Sequence, residues 1–161
     1  MKVENSIEIE APMDQVWDKI SRLTDIALWT RTVRAAHFHT ETERGVGAGR
    51  TCDVPGFGTL VENVLEWKEG ESYTLSLEGL PFFVKKAHGG WSLKEVSDNR
   101  TRATTFIVMK TGLWPVGALM EKFVLGPQLN KTIAIVQSEF KAFVERGDAA
   151  DQVAQPPDPV G

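Results

Sequence analysis

The stretch that most constrains the fold is Pro115 to Arg146, where Pro-Val-Gly-Ala-Leu-Met-Glu-Lys-Phe runs through Gly126-Pro127 and on to Phe140-Lys-Ala-Phe143-Val-Glu-Arg146. Leu129, Ile133, Val136, Phe140 and Phe143 recur at three- and four-residue spacing, which is one face of a helix, and Leu119 or Met120 with Phe123 carries that face upstream. Pro115 suits the first helical position and Gly147 the residue just past the end, while Lys141 and Arg146 favour the negative end of the helix dipole. At about 1.5 Å per residue such a helix spans roughly 45 Å, so a bend is expected, and Gly126-Pro127 is the place for it. An apolar face this long needs a broad, curved partner.

The rest of the chain supplies a sheet. Val3, Ile7 and Ile9 alternate with Glu4, Glu8 and Glu10, a half-buried strand ended by Ala11-Pro12. Met13, Val16, Trp17 and Ile20 then share a helical face, and Thr24 can cap a second short helix ending near Trp29. From there to residue 112 the period is two. Strands are expected at Thr32 to Thr40, Ala48 to Val54, Thr59 to Trp67, Tyr73 to Glu78, His88 to Val96 and Thr101 to Lys110, punctuated by turn-forming residues. The connections are short, which makes neighbours antiparallel, because a parallel pair needs a crossover of a dozen or more residues. The fold class expected is α+β: a seven-stranded curved antiparallel sheet wrapped around the long C-terminal helix, with two short helices after the first strand.

Composition narrows the function classes. An apolar content of 42% in 161 residues is enough for one real core, and residues 1–147 are expected to form a single domain. Residues 148–161, small, polar and proline-rich, are expected to be a disordered tail. No apolar run is long enough to span a membrane and Met-Lys-Val-Glu-Asn-Ser leads straight into an alternating strand, so a cytoplasmic protein is expected. The single Cys52 permits neither an internal disulfide nor a thiolate cluster and reads as a buried structural thiol. A net charge of −4 without a Lys/Arg run argues against nucleic acid and points to a small, mostly apolar ligand.

At this point the chain resembles the START-like or Bet v 1-like helix-grip superfamily (SRPBCC), and within it the bacterial polyketide cyclase/dehydrase-like group. The matching residues are Ile7-x-Ile9-x-Ala11-Pro12-x3-Val16-Trp17-x2-Ile20, Trp29, Gly45-x-Gly47, Leu60-Val-Glu62-x-Val64-x-Glu66-Trp67 and the terminal helix with its Gly-Pro. The resemblance covers about residues 3 to 146 and implies a ligand cavity between sheet and helix. Trp29, Phe38, Trp91 and Phe106, with Phe123, Leu129 and Ile133 of the helix, are the residues expected to line it. Gly79-Leu80-Pro81 spells the gate tripeptide of the superfamily's plant hormone receptors but lies two connections later in the meander, so that role is not carried over.

Chemistry is sparse. Glu62 is the foremost polar candidate: inside a cavity it would be desolvated or would orient a ligand hydroxyl, and outside it would face solvent paired with Arg50 or Arg102. His88 precedes two glycines that permit a bulge or close approach of a ligand, or simply a flexible start to the strand. Glu62, His88 and Arg102 are the candidate proton-transfer groups if the chain is an enzyme. His37-x-His39 places two imidazoles on one strand face, and His88 would be needed as a third ligand, so no metal and no cofactor are expected. Gly45-Val-Gly47-Ala-Gly49 precedes a strand and lacks the Lys-Ser/Thr of a phosphate loop.

Alternate connections of an antiparallel meander lie at the same end of the sheet. Phe57, Leu80, Phe82, Phe83 and Trp114 are therefore expected to gather there, as a contact site or a gate. The leading expectation is binding or carriage of an apolar or aromatic small molecule, lipid-, polyketide- or isoprenoid-like. A cyclase/aromatase- or dehydratase-like enzyme is the first alternative. A module that touches a protein or a membrane through the apolar mouth is the second, and the low number of cations counts against its membrane form.

Overall fold

The computed structural model describes residues 1–112 and 114–153, the last six of these by backbone alone. Strand β1 (Lys2–Ile9) is followed by helix α1 (Met13–Ile20), a 3-10 turn (Leu23–Asp25) and the short helix α2 (Ile26–Trp29). Six strands follow as a meander: β2 (Ala35–Phe38), β3 (Gly49–Val54), β4 (Gly58–Lys68), β5 (Ser72–Glu78), β6 (Val84–Ser97) and β7 (Arg100–Thr111). Helix α3 (Val116–Met120), a π-helical stretch (Glu121–Leu125) and helix α4 (Gly126–Val153) complete the described chain.

The α+β class, the seven strands, the antiparallel sheet and the long terminal helix are as expected. The sheet order is β1-β7-β6-β5-β4-β3-β2, so β1 closes the far edge by pairing antiparallel with β7. Strand β2 is shorter than the alternation suggested and β6 starts four residues earlier, at Val84. Thr24 makes no cap, since α2 begins one residue after Asp25 with no side-chain cap bond. Helix α4 does not stop at Gly147 but continues to Val153, and residues 154–161, the rest of the expected tail, lie outside the described residues.

Register assigns every strand residue to a face, because directly opposed residues of an antiparallel pair point the same way. Ile7 opposes Ala103, Thr105 opposes Trp91, Trp91 opposes Tyr73, Leu75 opposes Val64, and Glu62 opposes Arg50. This inner face carries the buried core. The outer face carries His37, His88, Arg102 and Phe106. A bulge between Val64 and Glu66 resets the phase of β4, so Trp67 turns inward against Trp17 and Tyr73 while Leu65 is left 52% exposed. The paired glycines of β6 serve close strand approach: a Cβ on Gly90 would stand 2.1 Å from the Tyr73 carbonyl oxygen.

Helix α4 lies along β1. Lys141 Nζ donates to the Glu8 carbonyl at 2.7 Å, Gln137 Nε2 to the Asn5 carbonyl at 2.8 Å, and the Glu10 N–H to Glu145 Oε1 at 3.0 Å. Its buried face runs through Ile133, Gln137, Phe140 and Val144, with Val136 and Phe143 at the margins. The upstream part of the expected face is not buried: Leu119 is 61% and Phe123 66% exposed. The reason lies in the π stretch. Pro127 has no N–H for the Phe123 carbonyl, the Gly126 N–H bonds the Glu121 carbonyl five residues back, and a Cβ at Gly126 would come within 2.9 Å of that oxygen. One extra residue in the turn rotates everything N-terminal to it away from the α4 stripe.

Candidate ligand-binding site

The inner face carries one concentrated polar group. Arg50 on β3 donates from Nε to Glu62 Oε2 and from a terminal nitrogen to the Leu23 carbonyl, and both side chains are buried. Cys52 Sγ lies 3.4 Å from the same Glu62 oxygen. Burial opposes the Arg50 charge, but the Glu62 carboxylate beside it outweighs that and holds the guanidinium above its ordinary value. Burial pushes the Cys52 thiol up to about 12, against the pull of Arg50. Tyr73 is raised in the same way. Glu62 thus points inward, as one of the two readings had it, and is paired with Arg50, as the other had it. Its carboxylate is tied by Arg50, and the remaining interior groups are kept neutral.

A second polar position lies on α4. Gln137 is 1% exposed, and its Nε2 donates to the Asn5 carbonyl and, at 3.2 Å, to Thr105 Oγ1. Those two bonds fix the amide orientation and leave Oε1 buried with no hydrogen-bond partner among the described residues. Trp29 Nε1 is likewise buried with no hydrogen-bond partner among the described residues. The Trp29 ring packs on Phe140 at 4.9 Å and edge-on to Trp91 at 6.4 Å, so both orphan atoms belong to residues grouped around one turn of α4. A buried polar group without a partner costs about 1–3 kcal/mol, and in native structures such atoms mark places where water or a ligand completes the bonding.

Burial along the inner face is uneven. Toward α1 and α2 it is closed: Ile9, Val16, Ala103, Phe140 and Val144 are at most 1% exposed. Toward the other end Leu60, Leu77 and Ile107 of the sheet and Leu129 of α4 are half-buried, while Val3, Ala87 and Met109 beside them stay buried. That end holds the β3–β4 and β5–β6 loops and the start of α3, drawn together by the Gly112 N–H donating to the Phe83 carbonyl at 2.8 Å and by Gly79 lying against the Thr59 carbonyl. Phe57 is 45%, Phe82 81% and Trp114 87% exposed there, joined by Val116 and Val124, while Leu80 and Phe83 are half-buried. Phe82 and Phe83 meet edge to face at 5.8 Å. A separate open hollow of about 360 Å³ lies near the far end of α4, bounded by Lys19, Leu28, Trp29, Phe143, Arg146 and Gly147.

The residues expected from the sequence divide accordingly. Trp29, Phe38, Glu62, Trp91 and Ile133 lie on the inner side, between sheet and helix, and Leu129, four residues before Ile133 on α4, is half-buried. Phe57, Leu80, Phe82, Phe83, Trp114 and Phe123 lie at or beside the half-open end. Three do not line the interior: His88 and Phe106 meet edge to face at 6.4 Å on the outer face, and Arg102 pairs there with Glu8 at 3.0 Å. One residue of register separates them from inward-facing neighbours. His39 bonds Thr51 and Asn63 on that same face, and among the described residues no three His, Cys, Asp or Glu side chains form a metal-binding group. Gln137, Tyr73 and Val144 escaped the sequence reading. Gln137 had a readable signal, a polar residue in line with Ile133 and Phe140 on an apolar stripe.

The fold recurs in solved structures. A START superfamily protein from Mycobacterium smegmatis superposes with a TM-score of 0.69 at 14% identity, over 90% of this chain and 97% of that one. The Zhui aromatase/cyclase from Streptomyces sp. R1128 superposes at 0.73 with 14% identity, over 91% and 94% of the two chains. The di-domain ARO/CYC protein BexL of the BE-7585A biosynthetic pathway gives 0.75 at 13% identity, this chain spanning 46% of its length. At such identities the likeness is one of fold. No curated protein matches the sequence. The sequence itself matches, over residues 1–140, the family described as polyketide cyclase / dehydrase and lipid transport. With the helix-grip architecture and an inward-facing polar pair beneath a half-open apolar end, this chain belongs to the polyketide cyclase/dehydrase and lipid transport family.

Proposed function

We propose that the chain binds and carries an apolar small molecule, lipid-, polyketide- or isoprenoid-like, in the space between the inner face of the sheet and α4. The observation that carries this reading is uneven burial: large apolar side chains are sealed at the α1/α2 end, whereas at the other Leu60, Leu77, Ile107 and Leu129 are half-buried and Phe57, Phe82 and Trp114 exposed, beside the buried Val3, Ala87 and Met109. Water there wets apolar surface that a ligand would cover, at about 25 cal/mol per Å². The interior polar atoms suit recognition. Gln137 Oε1 would accept from a ligand hydroxyl, Trp29 Nε1 would donate to a carbonyl or ether oxygen, and both are already desolvated.

Carriage is favoured over turnover by what the interior groups are free to do. His88 and Arg102 face away from the ligand space, Glu62 is committed to Arg50, and Cys52 and Tyr73 are held in their protonated forms. General acid-base catalysis needs a group poised near the working pH and within reach of the reacting atoms. Native mass spectrometry of freshly purified protein, followed by titration with an apolar fluorescent dye, tests the reading. A co-purifying small molecule, or saturable dye binding that Gln137→Ala and Leu129→Asp weaken, is expected. Protein that arrives empty and leaves the dye unbound overturns it.

A further inference from the structure

We infer that the half-open end docks on an anionic lipid surface, with Trp114, Phe82 and Phe123 entering the interface and a collar of lysines meeting the headgroups. The inference rests on the proposed ligand space between the sheet and α4, takes this end as its entrance, and names the source from which the ligand is taken or to which it is delivered.

Two observations combine. The first is exposure: Trp114, Phe82, Phe123 and Leu119 are all more than 60% exposed, and they come from the β5–β6 loop, the β7–α3 connection and the first turns of the terminal helix. Exposed apolar side chains gathered from separate segments at one end of a molecule mark a contact surface. The second is charge. Lys86 and Lys110 stand directly opposite each other at the adjoining end of β6 and β7, Lys85 lies against Gly112, and Lys122 Nζ sits 5.6 Å from the centre of the Phe123 ring. All four are exposed, and among the described residues none is paired with a carboxylate. Of the acids at that end, Glu121 is taken up by Thr111 and the N-terminal ammonium, Asp53 by Arg34, and Glu78 accepts from Asn63 and Ser76. Like charges directly opposed across strands are unfavourable, and an anionic surface relieves that repulsion. A chain of net charge −4 therefore carries a local cationic collar around its apolar tip.

This pairing of aromatics with lysine selects the partner. Protein interfaces are depleted of lysine at their centres, whereas membrane interfaces place Trp and Phe at the headgroup level with Lys reaching up to the phosphates. Each lysine near an anionic leaflet strengthens binding by about fivefold, and the effect is screened by salt.

Co-sedimentation with vesicles of phosphatidylcholine alone, and of phosphatidylcholine with phosphatidylserine as the minor lipid, provides the test, run beside dye titration in solution. Binding to the anionic vesicles about tenfold or more above the neutral ones is expected, falling as sodium chloride rises. Lys86→Gln and Lys122→Gln should each lower it several-fold, Trp114→Ser should lower it on both vesicle types, and Lys94→Gln, on the outer face away from the tip, should leave it unchanged. Equal binding to both vesicle types, or none, overturns the inference. Dye binding retained in that case leaves the ligand reading standing, while vesicle binding without dye binding sinks the ligand reading instead. Wild-type protein that self-associates in gel filtration and becomes monomeric with Trp114→Ser would make the tip an interface between copies, which also overturns the inference.

Discussion

Glu62 on β4 stands directly opposite Arg50 on β3, with side chains 8% and 6% exposed, and Arg50 Nε donates to Glu62 Oε2 at 2.5 Å. A buried pair is worth little against an apolar replacement, yet breaking it strands a charge. Glu62→Leu and Arg50→Met should each destabilise by about 3–5 kcal/mol in urea unfolding, and the double variant should recover most of the loss. Additive losses would show that the two side chains act independently.

The α4 stripe should dominate stability. Phe140 is fully buried and packs on Trp29 and Trp91, so Phe140→Ala should cost about 3–5 kcal/mol, and Ile133→Ala about 2–5 kcal/mol. Lys131→Ala, on the exposed side of the same helix, should change the unfolding midpoint little. Comparable effects at all three positions would place the buried face elsewhere.

Glu69, at the β4–β5 turn, is held by three donors: Arg44, Trp17 Nε1 at 2.9 Å and Trp67 Nε1 at 2.7 Å. The Arg44 bond first, then the two indoles, lower its pKa from 4.5 to about 2. A depressed carboxylate contributes stability above its unfolded value and loses it as pH falls through the folded one. The melting temperature should therefore drop between about pH 4.5 and 2, and Glu69→Gln should flatten that part of the profile. Added salt should shrink the difference, since the group is exposed. An unchanged profile in Glu69→Gln would assign the acid sensitivity to other carboxylates.

Cys52 is buried and its thiol is pushed up to about 12 by burial, so almost no thiolate exists near neutral pH. A disulfide reagent at pH 8 should label native protein only at the rate of opening or unfolding, and denatured protein at once. Rapid stoichiometric labelling of the native state would place the thiol at the surface.

The order of elements, the short antiparallel connections, the long helix and the gathering of three apolar segments at one end were all legible in the sequence. Periods of two and 3.6 and the parity of turns are local quantities, read from neighbouring residues wherever no bulge or π turn interrupts them. The side of the sheet on which a residue ends up is different. Alternation sets His88 and Trp91, three residues apart, on opposite faces but does not say which of the two faces the helix, and the bulge at Leu65 turned Trp67 inward against a simple alternation. Glu62 remained ambiguous because both faces of its strand are apolar in sequence, and only the 3-10 turn, whose Leu23 carbonyl meets the Arg50 paired with Glu62, made that face the interior. The sequence total of cations likewise concealed the collar at the tip, since Lys85, Lys86, Lys110 and Lys122 come from three elements that meet only when β6 pairs with β7 and the chain turns into the terminal helix. Registers, bulges and crossing helices are settled by contacts between segments far apart in the chain, so the site built from those contacts exists only in the folded molecule.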